Sequence, residues 1–137
     1  MIVVDTNVVA YLLLRGPHTA NAEALLARDP EWAAPALWRS ELRNVLAGYL
    51  RRGTLSLSQV LALQSYAEDL LADQEVPVSS SEVFRLVAAS DCSAYDCEFI
   101  AAAETLGIPL VTSDRQLLRA FPEITIPLHQ GSSSGQR

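Results

Sequence analysis

The feature that most constrains the fold of this chain is a set of short apolar runs separated by longer stretches of helical pattern. The first run, residues 2–4, is continuous and rich in β-branched side chains, which is typical of a strand buried on both faces. Similar runs predict strands at residues 32–35, 76–78, 109–111 and 124–126. Strands that alternate with helices form a mostly parallel sheet with helices on both faces, so the sequence predicts an α/β fold.

Helices are predicted between the strands, with Gly and Pro residues near several of their ends. The predicted ranges are residues 6–14, 19–28, 35–51, 56–72, 79–90, 93–106 and 114–120. The third and fourth of these form a helical hairpin around Gly53. Ser79 and Glu82 have the spacing of a capping box, and Ser93 can cap the helix that follows it.

Length and hydropathy limit the classes of protein to which the chain can belong. Its 137 residues suit one domain, predicted at residues 1–128, followed by a polar Gly/Ser-rich tail at 129–137 that we expect to be flexible. No apolar stretch of the sequence reaches the roughly 18 residues of a membrane span. The first residues also lack the pattern of a signal peptide. We therefore expect a cytoplasmic protein that does not enter membranes.

Charge and cysteine content exclude further classes. The formal net charge of −6 argues against binding nucleic acid through overall charge alone. All ten basic residues are arginine, so mechanisms that need a catalytic or phosphate-binding lysine are excluded. Cys92 and Cys97 have no metal-ligand spacing, and we expect both to be free thiols in a reducing compartment.

Two acidic residues follow predicted strands, at positions where a ligand site is expected. Asp5 comes directly after the first strand, and Asp114 comes shortly after the strand at 109–111. In a parallel sheet, ligands bind in the crevice beyond the carboxyl ends of the strands, so the two carboxylates are expected to be neighbours. Asp114 alone also fits the role of a helix cap. Thr6 offers a cap oxygen of its own, so Asp5 is not needed to cap the first helix.

Two more acidic residues fall on helix faces that are expected to be buried. Glu41 lies between Leu37 and Val45 on the apolar arc of its helix. Asp96, in the first turn of a later helix, points to the side where the core is expected. A buried carboxylate is costly unless it is paired or bound to a metal. An arginine partner for Glu41 and a capping role for Asp96 remain open as alternatives.

One shared cause explains four such acids better than four separate causes. Clustered carboxylates repel one another, which raises their pKa values, and a divalent cation offsets this repulsion. Ligand sets made only of oxygen atoms suit Mg²⁺ or Mn²⁺. The sequence therefore favours a metal site made from Asp5, Glu41, Asp96 and Asp114.

The stretches around these four acids resemble the motifs of PIN-domain ribonucleases and, more narrowly, of the VapC-type toxins of bacterial toxin–antitoxin pairs. They read VVDTNVVAYLLL, SELRNVL, SAYDCEFIAAAE and LVTSDRQLL, in the order and spacing of that family. The resemblance spans about residues 1–128. It implies a PIN-like three-layer α/β/α sandwich with a mostly parallel central sheet and a helical hairpin.

The resemblance also implies an activity and roles for particular residues. The four acids would be catalytic and would hold Mg²⁺ or Mn²⁺ for the hydrolysis of RNA phosphodiester bonds, leaving a 5′-phosphate and a 3′-hydroxyl. Residues near these ligands would support them, namely Asn7, Thr112 and Ser113. Contacts with the RNA backbone are expected from nearby arginines, of which the main candidates are Arg39, Arg43 and Arg115.

Protein partners are implied by the same resemblance. Members of the family usually form homodimers and are held inactive by a cognate antitoxin. The helical hairpin carries apolar side chains that could contact an antitoxin, namely Trp38, Leu46, Leu50 and Leu57. Ordinary core packing of these side chains is the alternative.

Rival classes with an Asp after the first strand fit the sequence less well. Receiver domains and haloacid-dehalogenase-type phosphatases both normally need a lysine, which the chain lacks. A non-catalytic PIN-like scaffold that binds RNA or a partner protein is the alternative function.

Overall fold

The computed structural model of the chain describes residues 1–128, and the tail predicted at 129–137 lies outside them. The strands of this part are β1 (Ile2–Val4), β2 (Trp32–Ala33), β3 (Leu110–Thr112) and β4 (Thr125–Pro127). The helices are α1 (Thr6–Leu13), α2 (Thr19–Arg28), α3 (Leu37–Arg51), α4 (Leu57–Leu71), α5 (Ser80–Ala88), α6 (Ala94–Leu106) and α7 (Arg115–Ala120). A short 3₁₀ turn, Ala72–Gln74, follows α4.

The strands form one sheet in the order β2-β1-β3-β4, in which each neighbouring pair is parallel. The first strand, β1, lies inside the sheet and pairs Val3 with Ala33 of β2 and Val4 with Val111 of β3. All of β1 is buried, as expected for a strand covered on both faces. The predicted three-layer α/β/α sandwich with a parallel central sheet is therefore confirmed.

The predicted strand at residues 76–78 is wrong. The chain there makes only a parallel bridge between Glu75 and Ala34, supported by a 3.0 Å hydrogen bond from the Val76 amide to the Ala34 carbonyl. Pro77 has no amide hydrogen and so cannot extend the pairing. A short apolar sequence therefore borders the sheet without becoming a fifth strand.

The predicted capping box at the start of α5 is only half formed. The Ser79 hydroxyl accepts a hydrogen bond from the Glu82 amide at 3.3 Å. The Glu82 carboxylate, however, accepts from Arg85 at 2.8 Å and does not return to the Ser79 backbone. A complete capping box occurs instead at the start of α4, between Ser56 and Gln59.

The apolar side chains of the hairpin divide between core and surface. Trp38 and Leu46 are buried in the core, so the packing alternative is right for both. Leu50 and Leu57 are exposed and remain available for contact with a partner. None of the helices in residues 1–128 is long and apolar enough to cross a membrane.

The topology brings separate parts of the chain to one edge of the sheet. Asp5 follows β1 directly, and Asp114 follows β3 and precedes α7. Because β1 and β3 are parallel neighbours, their carboxyl ends lie side by side. Helix α3 packs against α1, and α6 packs against both strands, which places two further helices beside this edge.

Candidate active site

A pocket of about 590 Å³, which we call the acid pocket, lies at the carboxyl edge of the sheet. Four acidic residues from four parts of the chain line it: Asp5, Glu41, Asp96 and Asp114. Its other lining residues are Thr6, Asn7, Leu37, Ser40, Asn44, Val45, Tyr95 and Phe99. The structure thus brings together the four acids that the sequence analysis selected.

Asp5 both caps α1 and borders the acid pocket, and only its position at the pocket was predicted from the sequence. Its Oδ1 atom caps α1 by accepting a hydrogen bond from the Val8 amide at 3.1 Å. Its Oδ2 atom accepts a hydrogen bond from the Thr112 hydroxyl. The expectation that Thr6 caps this helix is wrong, because the Thr6 hydroxyl donates to Glu41 instead. Asp5 is therefore held by both oxygens while it borders the pocket.

The surroundings of the Asp5 carboxyl group disfavour its charged form. Burial is the main reason that its pKa is raised to about 6, and the charges of Asp114 and Asp96 act in the same direction. The hydrogen bonds from Thr112 and from the Val8 amide oppose this increase. A cation in the pocket would lower the pKa of Asp5, since a positive charge favours the charged form of a carboxyl group.

Glu41 lies on α3 between Leu37 and Val45, which also line the pocket. Its carboxylate accepts a hydrogen bond from the Thr6 hydroxyl at 2.6 Å. Partial burial raises the pKa of Glu41, and the charges of Asp96 and Glu98 add to the effect. The ion pairs among residues 1–128 do not include Glu41, so an arginine partner does not explain its position in that part of the chain.

Asp96 lies in the first turn of α6 but does not cap it through its side chain. The Ser93 hydroxyl is the cap and accepts a hydrogen bond from the Asp96 amide at 3.1 Å. The capping alternative for Asp96 is therefore wrong. Burial raises the pKa of Asp96, and the charge of Asp114 raises it as well.

Asp114 both caps a helix and borders the pocket. Its Oδ1 atom accepts hydrogen bonds from the amides of Gln116 at 2.8 Å and Leu117 at 3.2 Å, which caps α7. Its own amide donates to the Thr112 hydroxyl oxygen at 3.0 Å. Because that hydroxyl in turn donates to Asp5, Thr112 links the two strand ends through one side chain.

The remaining predicted supporting residues differ in position. Asn7 is exposed and lines the acid pocket from the first turn of α1, two residues after Asp5. Ser113 is not among the lining residues, and its hydroxyl lies 3.1 Å from the Tyr11 hydroxyl. Ser113 therefore contacts α1 rather than the acids.

The predicted RNA-contacting arginines do not line the acid pocket. Arg39 pairs with Glu75 at 2.6 Å and with Glu68 at 3.2 Å, which joins α3 to the end of α4. Arg43 lies 3.9 Å from Glu68. Arg115 is exposed beside Asp114. Helical periodicity placed Arg39 away from the apolar arc, but it gave no sign of acidic partners more than 25 positions away.

Several pocket residues were missed in the sequence analysis. Thr6 was treated as a cap, although its place in the DTN motif beside Asp5 was a signal of a role in the site. Ser40 and Asn44 lie on the same helix as Glu41, and Asn44 is three residues after it. That spacing puts two side chains on one helix face and could have identified Asn44.

The donor set of the acid pocket fits a hard divalent cation. Its polar lining side chains offer carboxylate, amide and hydroxyl oxygens, and no arginine or histidine of residues 1–128 is among them. In the same part of the chain, no three His, Cys, Asp or Glu side chains are close enough to hold an ion unaided. Mg²⁺ commonly binds through one or two carboxylates and keeps several waters, so the pocket suits a hydrated ion.

Comparisons with known proteins identify a family and a solved structure that the chain resembles. A family model described as PIN domain matches residues 2–122. Ribonuclease VapC3 of Pyrobaculum aerophilum is 28% identical over 139 residues, which cover 92% of this chain and 98% of the relative. Ribonuclease VapC3 of Mycobacterium tuberculosis is 32% identical over 127 residues, covering 88% of each chain. The crystal structure of FitAcB from Neisseria gonorrhoeae shares the fold, with a TM-score of 0.74 and 19% identity over 93% of this chain and 98% of that one.

Proposed function

Because this chain belongs to the PIN-domain family and, within it, to the VapC ribonucleases, we propose that it is a metal-dependent endoribonuclease that hydrolyses RNA phosphodiester bonds. The observation that carries the proposal is the acid pocket, which four acidic side chains line at the carboxyl edge of a parallel sheet. Family membership supports the nuclease activity. The raised pKa values of Asp5, Glu41 and Asp96 support the dependence on a cation. We assign the catalytic domain to residues 1–128.

In this proposal, the four acids hold a hydrated Mg²⁺ or Mn²⁺, in part through the waters of the ion. A bound ion of this kind lowers the pKa of its water and offsets charge on the scissile phosphate. The protein fixes the positions of the carboxylate side chains. Asp5 is held by the Val8 amide and the Thr112 hydroxyl, and Glu41 is held by the Thr6 hydroxyl. These two side chains are thus orientated before the ion or the RNA arrives, which reduces the cost of ordering them.

Purified protein is expected to cleave RNA with Mn²⁺ present and to stop when EDTA removes the ion. Structured and unstructured RNAs should be compared, with cleavage followed on denaturing gels. Cleavage that continues in EDTA would contradict a metal-dependent mechanism. Binding of RNA without cleavage under any of these conditions would instead favour the non-catalytic scaffold.

We also propose that a cognate antitoxin is a partner. An apolar groove of about 620 Å³ runs between α1, α2 and α4, lined by Leu12, Leu13, Leu26, Leu63 and Tyr66, among others. Tyr66 is half exposed. A groove of this kind accepts the apolar face of a helical segment, which supports a protein partner bound to α1, the helix that also carries Thr6 and Asn7 of the acid pocket.

The product of an adjacent small gene, if that gene is an antitoxin gene, is expected to co-purify with this protein. Tyr66→Asp should weaken the complex by placing a charge in the groove. Phe84→Asp is the matched control, because Phe84 is exposed on α5 outside the groove. Equal loss of the complex in both variants, or in neither, would contradict this groove as the docking site.

The assembly and the location of the protein are two further proposals. We propose a homodimer, which light scattering of the purified protein tests. We propose a cytoplasmic location, where RNA is abundant and where the free thiols of Cys92 and Cys97 stay reduced.

A further inference from the structure

A second pocket, which we call the aromatic pocket, lies next to the acid pocket. It has a volume of about 290 Å³ and lies between α1, the turn before α2, and α3. The residues that matter for its chemistry are Tyr11, Arg15, His18 and Tyr49. Two residues, Asn7 and Val45, line both pockets, so the two cavities are adjacent at that point.

The aromatic rings of this pocket are held by contacts with their neighbours. The Tyr11 and His18 rings are in contact, with centroids 4.5 Å apart and planes tilted by 36°. The Tyr11 hydroxyl lies 3.1 Å from the Ser113 hydroxyl, next to the strand end that carries Asp114. The Arg52 guanidinium lies over the Tyr49 ring, 4.7 Å from its centroid. Held rings of this kind can receive a flat ligand with little loss of conformational entropy.

Positive charge accompanies the rings. Arg15 is the one arginine among the residues that line either pocket, all of which lie within residues 1–128. Neither Arg15 nor Arg52 takes part in an ion pair within that part of the chain. Both guanidinium groups therefore have donors to offer a phosphate group.

We infer that the aromatic pocket binds one base of the RNA strand, at a nucleotide beside the phosphate that the acid pocket cleaves. This inference rests on the proposed ribonuclease activity. Tyr49 and the Tyr11–His18 pair supply aromatic faces for stacking, and Arg15 contacts the adjoining phosphate. The volume of about 290 Å³ is near the lower limit of small-ligand sites, roughly 300 Å³, which suits one base better than a stack of bases.

Binding of a base in the aromatic pocket affects which RNA the protein selects. A base can enter the pocket only when it leaves the stack of its own strand, and this is easiest in single-stranded loops and ends. Stacking on aromatic side chains tolerates all four bases. The protein is therefore expected to prefer unpaired RNA at this nucleotide, with sequence preference set by other contacts.

The test uses a short, fluorescently labelled single-stranded RNA and the Asp96→Asn background, in which binding is measured by anisotropy without cleavage. Tyr49→Leu is expected to weaken binding by about 10-fold, because stacking on one ring is lost. Tyr49→Phe should bind as the parent does. Phe84→Leu is the control for loss of an exposed ring outside both pockets. Melting temperatures establish that each variant is folded.

RNAs that carry one abasic nucleotide at successive positions identify the base concerned. One abasic position is expected to weaken binding to the parent protein and to have a clearly smaller effect on Tyr49→Leu, because the contact between that base and the Tyr49 ring is then already lost. In the cleaving protein, Tyr49→Leu should raise KM and leave kcat nearly unchanged.

Equal binding by Tyr49→Leu and its parent, or additive losses from the abasic site and the variant, would overturn the subsite. If Tyr49→Leu instead weakens the antitoxin complex and leaves RNA binding unchanged, the pocket holds a protein segment and the inference is wrong. Failure of the unmodified protein to cleave any RNA with Mn²⁺ is a separate result that refutes the ribonuclease proposal itself.

Discussion

Replacing Asp96 with asparagine is expected to slow RNA cleavage by on the order of 10³-fold while the fold stays intact. Asp96 is the most informative of the four acids because Ser93, not the Asp96 side chain, caps α6. Its carboxyl group is half-buried and its pKa is raised, so removing the charge does not destabilise the folded protein. The initial rate of cleavage with saturating Mn²⁺ is the quantity to measure.

Asp69→Asn is the matched control for this prediction. Asp69 lies on an exposed face of α4, outside the acid pocket, so the same chemical change is expected to leave the cleavage rate as it is. The melting temperatures of both variants should be close to that of the unmodified protein. If folded Asp96→Asn cleaves RNA within a few-fold of the unmodified rate, the acid pocket is not the catalytic site.

The positions of the acids were predictable because they follow from topology. Once the apolar runs indicate a parallel sheet, Asp5 and Asp114 must lie at the same edge. For Glu41 and Asp96, helical periodicity was sufficient, because a carboxylate among apolar neighbours is costly and therefore conspicuous. The partners of these acids were less predictable, since the hydrogen bond from Thr6 to Glu41 joins residues 35 positions apart.

The main error in predicting the site was to treat capping and metal binding as alternatives. A carboxylate has two oxygens and several lone pairs. Asp5 uses one oxygen to cap α1 and accepts from Thr112 with the other, yet it still borders the acid pocket. Asp114 likewise caps α7 and borders the pocket. The sequence does not reveal that one carboxylate both caps a helix and borders the pocket, because this depends on the direction of each lone pair in the folded protein.

The pH dependence of stability in metal-free protein is the second large expected effect. The pKa of Asp5 is raised from 3.8 to about 6, so the folded state holds this proton more tightly than the unfolded state does. The resulting stabilisation is complete below the unfolded pKa and is lost as pH rises through about 6. From about pH 5 to about pH 7.5, Asp5 alone should lower the free energy of unfolding by about 1.4 kcal/mol.

The measurement is chemical denaturation of EDTA-treated protein across that range of pH. Asp5→Asn is the reference, because asparagine can still accept from the Val8 amide but does not titrate. Titrating groups away from the acid pocket affect both proteins alike, so the difference between them reports Asp5 together with its coupling to Asp96 and Asp114. Thr112→Val removes a hydrogen bond that lowers the pKa of Asp5, and the loss of stability should then occur at higher pH.

Addition of Mn²⁺ should reverse this loss in the unmodified protein. Because the ion binds deprotonated carboxylates, its stabilising effect should be large at about pH 7.5 and small at about pH 5. Asp5→Asn should show little stabilisation by Mn²⁺ at either pH, since one ligand and its charge are gone. Parallel pH profiles for the two metal-free proteins would contradict the raised pKa of Asp5. Equal stabilisation of both proteins by Mn²⁺ would mean that the ion binds elsewhere. The two results therefore test the raised pKa of Asp5 and the proposed binding of metal by Asp5 separately.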